Sequence, residues 1–561
     1  MIKLMLVCRR WRAHLSRYRC ALIACLCCGF SQASAESVDS DPHSSPKLVV
    51  ILSIDQLRRD RLGEATSGGL NRLVNRGRIF VEAQLAHAIS TTCPGHASIL
   101  TGLNPSRHGL PSNTFVDRET GQVRYCVADD DPAHQTFGGQ GGRSPLQMRA
   151  STLGDWSKQK NPDDRVFALA GKDRSAITMG GKHADGAYWF DRSQGRFTTS
   201  GYYHEKMPEF LDRFNGVDPL QGGLLSDLPE YWEHGNASSR EDDFEGEDRR
   251  FKRVSGHPLK KGDLETVAKQ VYSSPFLDKA TIALARVLVE EKSLGQGAGT
   301  DYLAIGLSAT DTLGHLYGPR SAEALDALRR LDLWLGELFV YLDERLGQSG
   351  YVVVLTADHG VAELPEWRLA DQRMNCPEKS GRVEPESFFF GFYWHLYKSF
   401  SFPFGDPREL VQLDGGHIFV REDGLRAQGL DRRSVVLELQ NYLQGLPEIE
   451  RAWSIGEIER ATDGAGLLLK RSLVADRAAD ILVELAEGCL ISGLGTTHGS
   501  HHDYDRDIPI IFYGPRIEPG RVAGPAFSID IAPTLGNYLG IKPDVDLDGM
   551  ILPLRSVDGS H

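Results

Sequence analysis

The chain has 561 residues, 41 % of them apolar and 25 % charged, with a formal charge of −13. An acidic surface disfavours nucleic acid and anionic membranes as partners. The length exceeds what a single compact core usually needs, yet no internal repeat or low-complexity tract divides it.

Residues 1–35 hold Lys3, Arg9, Arg10, Arg12, Arg17 and Arg19 and no acid, then an apolar run from Ala21 to Phe30, then Ala33-Ser34-Ala35. A basic start, a short apolar stretch and a small-x-small ending read as a secretory signal peptide, too short to span a bilayer. The protein is therefore expected in the periplasm or outside the cell. A lipoprotein box at Leu22-Ile23-Ala24-Cys25 and a twin-arginine signal at Arg9-Arg10 are weaker readings of the same stretch. Cleavage removes six bases and no acid, so the charge falls from −13 to −19. A site for an anionic substrate must then make its own local positive charge. Of nine cysteines, Cys93, Cys126, Cys376 and Cys489 remain. They allow three full pairings. Cys93 is expected to be buried and free, with one disulfide among the other three. No CxxC pair survives, so a thiolate zinc site is not expected.

After the leader, five continuous apolar runs predict strands buried on both faces. The first, Leu48 to Ile54, ends in Asp55. Next comes Ser90-Thr91-Thr92-Cys93-Pro94-Gly95-His96-Ala97-Ser98. Proline is expected here at the first helical position, which puts the Thr92 hydroxyl beside free backbone N–H groups, a place suited to an anion. The second run, Val166 to Ala170, leads into Gly171-Lys172-Asp173-Arg174. Lys172 and Arg174 are two apart, so in extended backbone both point to one side, where Arg can bind phosphoryl oxygens in a fork. Residues 233–263 are highly charged and predicted to be a surface loop. The third run, Tyr302 to Leu307, leads to Asp311 and, four residues on, His315. Leu328, Leu331, Leu335, Leu338 and Leu342 mark a helix stopped by Gly347. The fourth run, Tyr351 to Leu355, leads to Asp358-His359. The loop Thr496-Thr497-His498-Gly499-Ser500-His501-His502 precedes the fifth, Ile508 to Tyr513.

The predicted fold is α/β, with a mostly parallel central sheet covered by helices on both faces. It forms a single catalytic domain over 36–561, with insertions at about 113–163, 176–300 and 361–495 forming a cap. Ligands in such sheets bind outside the carboxyl ends of strands. Three strand ends therefore deliver Asp55, Asp311 and Asp358-His359 to one edge. Carboxylate plus imidazole without thiolate suits catalytic zinc, and two groups of ligands suggest two ions. His501 and His502 read as solvated.

These residues resemble the alkaline phosphatase superfamily, and within it the PafA-type bacterial phosphatases with a threonine nucleophile. The resemblance rests on Ser53-Ile54-Asp55; Thr92 through Gly102 and Arg107-His108-Gly109; Gly171 to Arg174; Asp311 to His315; Thr356 to Gly360; Thr497-His498-Gly499; and Asp530 to Thr534. It implies one zinc on Asp311, His315 and His498, and another on Asp55, Thr92, Asp358 and His359. It implies that Asn113 binds a phosphate oxygen and that Lys172 and Arg174 mark the monoesterase branch. The lysine replaces a magnesium site, so no third Mg2+ is expected. The implied activity is phosphate monoester hydrolysis through a phosphothreonine at Thr92, on small phosphorylated metabolites, by a monomer that releases inorganic phosphate. The rivals are a phosphodiesterase or nucleotide pyrophosphatase and a silent metal-binding relative. A sulfatase needs a modifiable Cys or Ser with x-Pro-x-Arg after it, and Cys93 is followed directly by Pro94.

Overall fold

Residues 48–54 are β-branched and aliphatic but for one serine, and all seven are buried in the strand they form, β1 (Leu48–Ile54). The computed structural model describes residues 46–556 except 140, 236–241, 371–375, 378–380, 401–405 and 415. The signal-peptide reading of 1–35 lies outside the described residues.

β1 is the centre of a nine-stranded sheet. The other strands are β2 (Arg78–Gln84), β3 (Arg165–Ala170), β4 (Gly186–Asp191), β5 (Arg196–Thr198), β6 (Asp301–Leu307), β7 (Tyr351–Thr356), β8 (Ile510–Tyr513) and β9 (Gly520–Phe527). Their order across the sheet is β9-β2-β8-β7-β1-β6-β3-β4-β5. β1 pairs in parallel with β6 and β7, and β6 with β3. Only β8 and β5 run against the rest. The α/β expectation is met, and all five predicted strands lie in this sheet. Residues 186–198 add two more of its strands, so the insertion read from 176 starts later than the pattern suggested.

Four helices frame the carboxyl edge of the sheet and its surroundings: α1 (Thr92–Thr101), α2 (Asp173–Gly180), α3 (Ala309–Tyr317) and α4 (Ala322–Leu346). α4 carries the predicted leucine stripe, with all five leucines buried, and it stops at Gly347 with φ +72°. Each such leucine contributes about 1.5–3 kcal/mol by leaving water. The insertion 361–495 builds its own four-stranded antiparallel sheet, including Val411–Asp414 and Ile481–Leu485, around a separate core with Phe392, Leu396, Leu439 and Leu443.

The charged stretch 233–263 is more than a surface loop. Its described part pairs His257–Pro258 with Tyr231–Trp232 and buries His234, Glu247 and His257. Aromatic and imidazole rings there supply the apolar contacts that the charge count hid.

Candidate functional site

α1 begins at Thr92, with Thr91 as its N-cap, so Pro94 sits at the third helical position rather than the first. Proline is still tolerated there, because first-turn N–H groups have no partner within the helix. Thr92 keeps its place at the positive end, and it is buried. Gly95 lets α1 lie directly on the β7 loop: a Cβ there would come within 2.2 Å of the Asp358 carbonyl oxygen. Cys93 is not free. It is joined to Cys126, and Cys376 is joined to Cys489. The partner was hidden because Cys126 is brought back by a hairpin, Thr114–Val116 with Val123–Tyr125, that opens at Asn113. The Cys93 N–H donates to Asn113 Oδ1 at 2.8 Å, which leaves the Nδ2 end of that amide as the donor.

The parallel strands bring their carboxyl ends to one edge. Asp55 follows β1, Asp311 stands in the first turn of α3 after β6, and Asp358-His359 follow β7. His498 precedes β8, which runs the opposite way, so its amino end meets the same edge. His315 Nε2 lies 3.3 Å and His498 Nε2 3.5 Å from Asp311 Oδ1. His359 Nε2 lies 3.6 Å from Asp55 Oδ1 and 3.2 Å from Asp358 Oδ2. The two sets meet, since Asp55, Asp311 and His359 also converge.

Each histidine of this group is fixed through its other ring nitrogen. Nδ1 of His315 lies 2.8 Å from the Thr496 carbonyl, that of His359 2.9 Å from Gly360, and that of His498 2.7 Å from Ser90. A carbonyl only accepts, so Nδ1 carries the proton and Nε2 turns its lone pair to the carboxylates, the tautomer a metal ligand needs. Asp55 Oδ1, Asp358 Oδ2 and His359 Nε2 are buried without a hydrogen-bond partner. Oxygen and nitrogen donors orphaned in this way fit divalent cations of the zinc type.

The charges tell the same story. Burial, then the Asp358 charge, push the Asp55 carboxyl up to about 7, against the pull of Lys172. Burial opposes ionisation of Asp311 as well, but Lys172, His315 and His498 hold it below the usual range. Burial also lowers His359, yet Asp358 and Asp55 lift it to about 9. His498 is pushed down to about 3 by burial and by His359. Three carboxylates crowded in a dry pocket repel one another, and nearby positive charge relieves that repulsion.

Lys172 and Arg174 do converge on the site, by a different route from the extended backbone expected. Lys172 caps α2 and Arg174 lies in its first turn. Lys172 Nζ sits between the two carboxylate sets, 2.7 Å from Asp55 Oδ2 and 2.6 Å from Asp311 Oδ2. Arg174 Nη2 lies 3.4 Å from Thr92 Oγ1. Tyr125 OH donates to Asp173 Oδ1 at 2.5 Å and stands 3.4 Å from Arg174 Nη1.

Sequence reasoning missed three positioning residues. Gln56 adopts φ +67°, donates its backbone N–H to Asp358 Oδ1 and its Nε2 to Asp311 Oδ1, both at 3.1 Å. It needs the space that Gly314 leaves, where a Cβ would come within 1.7 Å of Gln56 Oε1. His96 Nδ1 lies 3.2 Å from Asp358 Oδ2 and 3.0 Å from the Thr92 carbonyl. Asp505 Oδ2 accepts from the N–H groups of Gly499 and Ser500, holding the His498 loop. Only Gln56 had a signal, its place beside Asp55. His501 and His502 are part-buried rather than solvated, and they face elsewhere: His501 Nδ1 lies 2.8 Å from Glu484 Oε1, and His502 Nε2 donates to the Leu485 carbonyl. Beside His498 opens a cavity of about 480 Å³ with Ile89, Phe388, Leu413 and Leu485 in its wall.

A sheet that gathers carboxylates and imidazoles at one edge around a helix-start hydroxyl is the architecture of a metal-dependent hydrolase. The family model for type I phosphodiesterase / nucleotide pyrophosphatase matches residues 49–505, and the chain belongs to that family. Alkaline phosphatase PhoK of Sphingomonas sp is 31 % identical over 553 residues, covering 93 % of this chain and 92 % of that protein. A protein of Myroides odoratus named calcium-transporting ATPase is 28 % identical, covering 94 % and 97 %. The crystal structure of wild-type alkaline phosphatase PafA superposes with a TM-score of 0.81 at 27 % identity, over 91 % of this chain and 98 % of that one. The resemblance drawn from the motifs is borne out.

Proposed function

We propose that this chain is an exported, two-zinc alkaline phosphatase that hydrolyses phosphate monoesters through a phosphothreonine at Thr92. The observation that carries it is the Arg174 guanidinium 3.4 Å from Thr92 Oγ1, with Lys172 buried beside it. Asp311, His315 and His498 would hold one zinc, and Asp55, Asp358, His359 and Thr92 the other. Bound there, the ions supply Lewis acidity and lower the pKa of hydroxyl groups. Thr92 Oγ1 attacks phosphorus in line as the P–O bond to the ester's alcohol breaks and the alcohol leaves, and water then cleaves the Thr92–phosphorus bond to release inorganic phosphate. Arg174 and the Nδ2 of Asn113 bind non-bridging oxygens as charge redistributes. Lys172 neutralises the two carboxylate sets and reaches the phosphoryl group across them. The substrates are small phosphorylated metabolites, and the cavity beside His498 is where the alcohol part of the ester would lie. The chain acts as a monomer, without a third Mg2+ at the active site. Export rests on the composition of residues 1–35. Cleaving the terminal phosphoryl group of ATP is the same reaction class, so the name of the Myroides relative is compatible with this reading.

The test compares an aryl phosphate monoester with the matching methyl diester. The expected kcat/KM for the monoester is at least about a hundredfold higher, because the diester gives the cations one oxygen fewer. A preference for the diester would sink the proposal in favour of phosphodiesterase chemistry, and no turnover of either would leave a silent relative.

A second test sorts the histidines. His498→Ala should lose bound zinc and most activity, whereas His501→Ala and His502→Ala, whose rings face Glu484 and Leu485, should keep both. An inactive His502→Ala beside an active His498→Ala would show that the wrong histidine was chosen.

A further inference from the structure

Away from Thr92, His234, His257 and Glu323 bring donor atoms within 4.8 Å of one another under the 231–263 segment, and Asp242 approaches His234. His234 follows the short strand Tyr231–Trp232, His257 lies on the strand paired with it, Asp242 lies between them, and Glu323 stands in the first turn of α4. His234 Nε2 lies 3.1 Å from Asp242 Oδ1 and 3.5 Å from Glu323 Oε1. His257 Nε2 lies 3.2 Å from the same Glu323 oxygen. The side chains of His234, His257 and Glu323 are 1 %, 3 % and 1 % exposed.

We propose that His234, His257, Glu323 and Asp242 form a structural zinc site. Nothing in it is shared with the residues around Thr92, so it does not rest on the proposed activity.

Three observations carry it. First, all four converging atoms are buried and make no hydrogen bond of acceptable geometry. Ion pairs that are properly hydrogen-bonded close to about 2.7–2.9 Å. These contacts are longer, at 3.1–3.5 Å. A tetrahedron with zinc–ligand bonds of about 2.0–2.1 Å has edges of about 3.3–3.4 Å, close to these three contacts. Second, the outer atoms of two of the four are satisfied, while His234 Nδ1 is buried without a partner. His257 Nδ1 lies 2.9 Å from the Phe251 carbonyl, so Nε2 is the lone-pair nitrogen, and Asp242 Oδ2 accepts from the Ser255 N–H. This is the supporting shell that orients metal ligands. Third, two imidazoles and two carboxylates, the deeply buried Glu323 and the 30 % exposed Asp242, balance a divalent cation.

The site would clamp the segment where it meets the catalytic edge. Within that segment the Asp248 N–H donates to the Leu316 carbonyl on α3, one residue after His315. The Gly246 carbonyl accepts from the Gly495 N–H, three residues before His498.

The experiment is zinc counting on full-length purified protein, with anomalous diffraction at the zinc edge. Wild-type protein should carry one zinc more than the His234→Ala/His257→Ala variant. The wild-type anomalous map should show a peak about 2.0–2.1 Å from His234 Nε2 and His257 Nε2. Equal zinc in a folded variant, or no peak in wild-type crystals grown with zinc, would overturn the proposal and leave a His–Glu ion-pair network. If the variant fails to fold, the wild-type map alone decides.

Discussion

Thr92→Ala should lose at least about a thousandfold in monoester turnover while keeping most of its zinc, as the loss of a covalent nucleophile does elsewhere. The expectation follows from position. Thr92 opens α1, so its hydroxyl stands where backbone N–H groups carry partial positive charge. The next residue is tied twice, by its disulfide to Cys126 and by its N–H to Asn113, which fixes the turn. The other donors proposed for the same metal come from the ends of β1 and β7 and do not depend on Thr92. Thr92→Ser keeps a hydroxyl and should retain measurable turnover with a phosphoenzyme trapped on acid quench. Near wild-type turnover in Thr92→Ala, with metal-stripped controls inactive, would mean that water attacks the ester directly.

Arg174→Ala should cost monoesterase activity about ten- to a hundredfold more than diesterase activity. A charge-assisted hydrogen bond of about 1.5–3 kcal/mol converts to that range. Arg174 is the cleaner residue of the cationic pair. Lys172 is bound to Asp55 and Asp311, so Lys172→Ala would disturb both carboxylate sets along with any contact to the ester. Bound zinc measured in both variants separates the two effects. Equal losses of Arg174→Ala on monoester and diester would make the arginine a structural residue.

The strand ends were legible in the sequence because a buried parallel strand must be apolar along its whole length. The polar residue that ends such a run, as Asp55 ends β1, is then conspicuous. β2 was harder to see, since it alternates toward its end and includes Glu82, and β5 has only three residues. The four-stranded sheet in 361–495 escaped because its strands are short and half-exposed, with a weaker pattern. Gln56, His96 and Asp505 work by fixing other side chains, a role set by three-dimensional neighbours and not by residue type. Cys126 belongs to the same class, since its partner was decided by a hairpin rather than by spacing.

The reversed direction of β8 has a consequence for how the chain matures. His498 reaches the Ser90 carbonyl across 408 residues. Closing so long a loop is slow, because its entropy is lost before the contact forms. A growing chain can thus assemble β1, β6 and β7 with an incomplete donor set. The imidazole that finishes the cluster around Asp311 arrives only when the C-terminal strands dock. If the proposed ligand set holds, full metal affinity becomes a late checkpoint, and a chain truncated before 498 should lack it.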